Sequence, residues 1–218
     1  KGGLAPNVIP DEAEVYYYVR HPRKEVVKQI FERVVKAAKG AAMGTETTLS
    51  YEVIHGNYSL MPNEVLQQIM HKHLSVRGGI IYDDEENEFA KTIYKTLLDP
   101  NARIGDQEKI LPYKSLHGYG STDVGDVSWL VPTAGARIAS WVPGTPGHSW
   151  QAVASGGTTI GLKGAKLAVQ VLTETAKEIY LNPSIVLKAK KELEDRVGKD
   201  FEYVPLLGDR EPPLDYRN

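Results

Sequence analysis

Cysteine is absent from the 218 residues. That excludes disulfides and thiolate metal ligands, so a metal ion could be held only by His, Asp or Glu, and it suits a reducing compartment such as the cytoplasm. An excess of charge is also missing: 26 Lys and Arg stand against 28 Asp and Glu, for a formal net charge of -2. The basic residues are scattered among the acids, and no basic stripe would steer a polyanion, so nucleic acid is not an expected partner. No apolar run approaches the roughly 20 residues that cross a bilayer, and no membrane partner is expected either. The chain opens on Lys1-Gly2-Gly3-Leu4, without a methionine or a signal-peptide pattern. It reads as a piece cut from something longer. What is present is ordinary globular material, 41% hydrophobic and 25% charged, enough for one large domain or two small ones.

Periodicity divides the chain. Residues 13–20 alternate, with Val15, Tyr17 and Val19 on one side and Tyr16, Tyr18 and Arg20 on the other, which predicts a strand. From 23 to 43 the apolar positions Val26, Val27, Ile30, Phe31, Val34, Val35 and Ala38 recur at helical spacing. Residues 47–54 alternate again. The first 61 residues therefore read strand, helix, strand, an incomplete α+β layer. A boundary is expected at Met61-Pro62-Asn63, where Pro and Asn suit a helix start. After it the pattern predicts a helix over 64–74, a short strand over 79–82, a helix over 87–98 and a long loop over 101–119. Strands are expected over 127–131 and 137–142, a buried helix over 159–180, an amphipathic helix over 184–197, and an irregular Pro-rich tail over 204–218.

Few residues have the setting that chemistry needs. Ser140 to Trp150 mounts His148 on a Gly/Pro loop between an apolar strand and a buried helix, a common place for a ligand or base, although from spacing alone a hydrogen-bonded structural histidine is the commoner case. Gly120 to Trp129 brings Asp123 and Asp126 to the edge of an expected strand, where turn and cap roles are the default. His71 and His73 form a His-x-His pair, but in a helical pattern neighbours two apart diverge, which argues against a shared metal. The acidic run 83–86, with Glu85 and Glu86, reads as a solvated helix N-terminus at the surface.

Gly2-Gly3-Leu4-Ala5-Pro6-Asn7-Val8-Ile9-Pro10, with a strand ending at Arg20, resembles the lid signature of the aminoacylase and glutamate carboxypeptidase superfamily, peptidase family M twenty. Met43 to Thr48, Ser121 to Trp129 and Gly144 to Gln151 resemble its aminobenzoyl-glutamate branch. The likeness runs from Gly2 to about Lys190. It implies an α/β phosphorylase/hydrolase-like catalytic domain interrupted by a ferredoxin-like lid that dimerises. On that pattern residues 1–61 are the lid's second half, and 62–218 the C-terminal part of the catalytic domain. The implied activity is hydrolysis of aminobenzoyl-glutamate or a related N-acyl amino acid with two divalent ions, zinc or manganese. His148 then matches one metal ligand, Asn7 and Arg20 match residues that receive the substrate carboxylate, and Asp123 and Asp126 are candidates for shaping the pocket. Gly125 stands where other branches carry an acid, which leaves the roles of those two aspartates open. The family's proton-shuttling Glu has no match here, so the fragment alone is expected to be inactive. Homodimerisation through the lid is implied, and a hetero-oligomer with a companion A-type chain is the other assembly the resemblance allows. Two alternatives stay open: the same fold acting as a dipeptidase, or a non-catalytic interaction module.

Overall fold

Helical periodicity is the part of the sequence pattern that the structure realises. The computed structural model describes residues 2–115, 118, 120 and 122–211. Among them are seven α-helices: α1 (Lys24–Gly44), α2 (Glu64–Arg77), α3 (Asp84–Tyr94), α4 (Val124–Ser128), α5 (Trp150–Gly156), α6 (Thr159–Leu181) and α7 (Pro183–Val197), with one 3-10 turn at Asp106–Glu108. The chain falls into two units: Lys1–Ser59 with Ser121–Asp123 and Val204–Asn218, and Leu60–Gly120 with Val124–Tyr203.

The sheet half of the expected α/β fold is not found among the described residues. No strand occurs among the described residues. Residues 13–20, 47–54, 79–82 and 137–142 lie outside any regular element, whereas 127–131 begins inside α4. The reason is that alternation specifies an extended, two-faced segment, while a strand exists only when a neighbour supplies the ladder of hydrogen bonds. Val15, Tyr16, Tyr17 and Tyr18 are all exposed, with Tyr18 82% accessible. For 127–131, a short β-branched run cannot be assigned from periodicity alone. There the buried Ser128 hydroxyl donates to Gly125 O at 2.5 Å and accepts from Met61 N at 2.8 Å, which closes a helical turn instead. The tail lacks regular elements over 204–205 and 210–211, with turns at 206–209; its last residues, 212–218, lie outside the described set.

In the first unit the apolar stripe of α1 is only half buried, and Tyr58 is the one buried residue of the described part of 1–59. Phe31 meets Tyr51 edge to face, with centroids 6.2 Å apart. The Lys24 ammonium lies 4.2 Å from the centre of the Tyr58 ring, and the Tyr58 hydroxyl donates to Val204 O at 2.7 Å. Arg210 donates to Glu52 and to Val53 O.

The second unit has a core of its own, built from Met70, Ile80, Tyr82, Ala90, Ile93, Val142, Ile160, Leu167 and Val171. Helix α6 is central because it is apolar around much of its circumference, and it packs on α2, α5 and α7. At Gly164 of α6 an added Cβ would sit 2.7 Å from Ala139 O and 2.8 Å from Ser140 Cβ. The helix thereby presses on the segment that leads to His148.

The open amides at the start of α2 are satisfied from outside the helix. Asn63, 1% accessible, accepts from Leu66 N at 3.2 Å and donates to Ala189 O of α7 at 2.9 Å. Glu192 of α7 accepts from Glu64 N at 2.8 Å and Val65 N at 3.0 Å, and pairs with Arg196 at 2.9 Å. At the other end of α2, Glu178 of α6 takes Lys72 and His73, the latter at 2.6 Å. Burial pushes the Glu192 carboxyl up, but the Val65 and Glu64 amides and Arg196 together bring it below the ordinary range. For Glu178 the Lys72 hydrogen bond is the largest influence, and that carboxyl is lowered too. A carboxyl lowered in the folded state stabilises the fold at pH values above its unfolded pKa, and that contribution is lost as pH falls through the folded value. Acid unfolding is therefore expected to begin below the ordinary glutamate pKa of about 4.3. Glu192→Gln should flatten the acid limb in a circular-dichroism titration; an unchanged limb would show that the capping contact carries no such linkage.

Candidate functional site

The loop that carries His148 is built from local turn chemistry on a buried anchor. Val142 is 1% accessible and fixes its start. Thr145 N donates to Val142 O at 3.1 Å, closing a turn through Pro143 and Gly144. Gly144 has φ +84°, and a Cβ there would lie 2.6 Å from Pro100 Cβ and 3.1 Å from Ala102 O. Only glycine fits both that conformation and that approach. Beyond His148, the Ser149 hydroxyl donates to Pro146 O at 2.8 Å and accepts from Ala152 N at 3.2 Å, capping α5. Gln151, in the first turn of α5, donates to Thr96 O at 3.4 Å and lies 3.3 Å from Thr96 Oγ1.

His148 itself is exposed and has φ +58°. The left-handed region costs a residue with a side chain about 1–2 kcal/mol relative to the right-handed one, and such strain gathers where function over-determines the backbone. The imidazole is thus displayed on a loop pinned at both ends. Gly144→Ala is expected to lose about 1–3 kcal/mol of stability through the wrong φ and the contact with Pro100. A melting curve matching the unsubstituted chain would remove the pinning argument.

The other expected site residues are placed as follows. Asn7 is exposed on a turn in which Val8 N donates to Ala5 O at 3.3 Å. Arg20 is exposed, with its guanidinium 5.2 Å from the centre of the Tyr18 ring. Asp123 is exposed at the head of α4, and Thr122 Oγ1 lies 3.5 Å from it. Asp126 is half buried inside α4 and accepts from the Tyr203 hydroxyl at 2.9 Å. Neither aspartate stands on a strand edge, and Ser121 of the same motif lies outside the described residues.

Among the described residues no three His, Asp or Glu side chains come together as metal ligands. His148 offers one donor where a catalytic zinc takes three protein ligands. The described residues do not by themselves fit one divalent ion, still less two. His71 and His73 do diverge: His71 meets Tyr113, with ring centroids 5.8 Å apart, while His73 meets Glu178.

Glu86 is a correction. Read as surface, it is 4% accessible and forms an ion pair with Lys163 of α6. It also makes a capping box: Asp83 N donates to Glu86 Oε2 and Glu86 N to Asp83 Oδ1, both at 2.9 Å. The signal was present as Asp-x-x-Glu, the spacing of a capping box, and it sets the start of α3 three residues earlier than expected. Burial raises the Glu86 carboxyl, but hydrogen bonds from Lys163, Thr159 and the Asp83 amide outweigh it, and the net direction is down. Burial, then the Glu86 charge, pushes the Tyr82 phenol up to about 12. This cluster holds α3 to α6 through the Glu86–Lys163 pair.

Comparison with known proteins adds the following. Residues 1–46 match the family model described as a peptidase dimerisation domain. The chain is 34% identical over 216 residues to the B chain of p-aminobenzoyl-glutamate hydrolase of Escherichia coli (strain K12), an alignment covering 88% of this chain and 45% of that protein. It is 24% identical over 203 residues to Xaa-Arg dipeptidase of Mus musculus, covering 91% of this chain and 40% of that one. To the Homo sapiens Xaa-Arg dipeptidase it is 26% identical over 133 residues, covering 60% and 24%. The chain thus spans less than half the length of these relatives. No solved structure matches it.

Proposed function

We propose that this chain belongs to peptidase family M twenty, a reading supported by its matches to a peptidase dimerisation domain and to a p-aminobenzoyl-glutamate hydrolase, and that it is part of a metal-dependent amidohydrolase. The substrate would be aminobenzoyl-glutamate or a related N-acyl amino acid. The observation that carries the reading is His148, exposed at φ +58° on a loop pinned at both ends. In it His148 is one metal ligand, and the remaining ligands and the proton-shuttling carboxylate belong to other parts of a longer parent protein. A pair of divalent ions, zinc or manganese, would be the cofactor, and its chemistry would be Lewis-acid activation of water. Asn7 and Arg20 would receive the substrate's carboxylate, for which the planar fork of Arg20 is suited because it can donate two parallel hydrogen bonds. Asp123 and Asp126 would shape the pocket at second hand, Asp126 through Tyr203. The dipeptidase relatives support the same chemistry on a different acyl group.

A second reading has its own support. Residues 1–46 match the dimerisation model, Val15 to Tyr18 are exposed outside any regular element, and α1 is half covered. As an interaction module the first unit would set its exposed residues against a second copy in a homodimer. A hetero-oligomer with a companion A-type chain is the variant of that reading in which the same face meets a different polypeptide. No helix is long and apolar enough to cross a membrane among the described residues. A cytoplasmic location is part of the proposal.

The deciding experiment measures metal content and aminobenzoyl-glutamate hydrolysis on this chain and on the full-length parent. Cleavage and bound metal in the parent, with neither in this chain, supports the split-site reading. A metal-free, inert parent would leave the interaction module in its place.

A further inference from the structure

One face of α2 opens on a cleft that the metal-ligand reading does not use. Gln67, Met70, His71 and Leu74, at successive three- and four-residue steps, form one wall. Pro112, Tyr113 and Lys114 form a second, and Gly135, Ala136 and Arg137 a third; the volume is about 180 Å³. That is below the roughly 300–1,000 Å³ of drug-sized sites, so the occupant would be small.

The walls are held. With its amide oriented so that both atoms are satisfied, Gln67 donates to Gly135 O and accepts from Gly135 N, each at 3.1 Å, as a neighbouring strand would. The Tyr113 ring lies against His71, with centroids 5.8 Å apart. Met70 is buried and Leu74 half buried, and they supply an apolar floor.

The charge is one-sided. The lining holds Arg137, Lys114 and His71 and no carboxylate. Arg137 and Lys114 are exposed. Glu64 and Glu192, the acids that act on Tyr113, are taken up at the start of α2 and by Arg196. Burial first, then those acids, raise the Tyr113 phenol, so its ring adds no negative charge. An arginine fork beside an ammonium is suited to an oxyanion, and the apolar and aromatic floor to a compact hydrocarbon body.

We propose that this cleft binds a small organic oxyanion, a carboxylate or a phosphate ester with an aromatic or branched apolar body. The anionic head would sit on Arg137 and Lys114, and the body on Met70, Leu74 and the Tyr113 ring. The assignment stands apart from the amidohydrolase reading, because it needs neither a metal nor His148.

Titration of the chain by calorimetry, with benzoate, phenyl phosphate, benzamide and inorganic phosphate as probes, tests it. Benzoate or phenyl phosphate should saturate, and whichever binds more tightly identifies the head group. Benzamide, which lacks the charge, and inorganic phosphate, which lacks the body, should each bind at least about tenfold more weakly, a difference of about 1.4 kcal/mol. Arg137→Ala should weaken binding about tenfold or more, Arg137→Lys less, because charge is kept and the fork lost. Lys166→Ala, outside the cleft, should leave it unchanged. Failure of both aromatic anions to saturate would overturn the proposal. So would equal binding of benzamide, or binding indifferent to Arg137→Ala in a chain whose melting curve is intact.

Discussion

His148→Ala in the full-length parent is expected to lower amide hydrolysis by more than about 100-fold. The magnitude follows from metal-site behaviour in general: removing an outer partner of a ligand already costs about 10–100-fold in metal affinity or activity, and removing the ligand itself costs more. The structure supplies a way to separate this from damage to the fold. His148 is exposed and makes no contribution to the buried core, yet it sits at φ +58°, which glycine adopts freely. His148→Gly should therefore leave the chain as stable as before or more so, by up to about 1–2 kcal/mol, while activity in the parent is lost. A structural histidine would behave in the opposite way, with stability falling and hydrolysis surviving in the folded fraction. Metal content of the parent variant gives a third readout, since loss of one ligand should lower occupancy. Unchanged turnover in either variant would remove His148 from the reaction.

How much of this was legible in the sequence depends on how far each contact reaches along the chain. Helices α1, α2, α6 and α7 were legible because their signals are local: apolar residues at steps of three and four, Asn63 before α2, Pro183 at the start of α7. The alternation at 13–20 was legible, but a strand is a statement about a neighbour, and alternation does not name one. The loop around His148 could be read as a loop from its Gly and Pro residues. Its rigidity could not, because Gly144 is pinned against Pro100 and Gln151 against Thr96, contacts that no local pattern announces. Glu86 was misread for the same reason: amid acids it looks solvated, and its partner Lys163 is 77 positions away. The cleft cations share this property, Lys114 and Arg137 being unremarkable until α2 is placed beside them.

The same logic marks Asn63 as the most sensitive single position for the stability of the second unit. Asn63→Ala is expected to cost about 1–3.5 kcal/mol. Loss of an N-cap costs about 0.5–2 kcal/mol, and loss of the buried hydrogen bond to Ala189 O, a carbonyl that stays bonded within α7, adds about 0.5–1.5 kcal/mol. At roughly 2–4 °C per kcal/mol for a chain of this size, the melting temperature should fall by several degrees or more. Asn63→Asp separates the two parts: its carboxylate can still accept from Leu66 N, but it cannot donate to Ala189 O, and it would sit buried near Glu192. Asp is therefore expected to be no better than Ala, although it is as good a cap in isolation. Glu192→Gln in the same background tests the coupling, because both residues close one helix end and their effects should not add. If Asn63→Asp were as stable as the unsubstituted chain, the link from α2 to α7 would contribute nothing, and the stability of this helix end would rest on the cap alone.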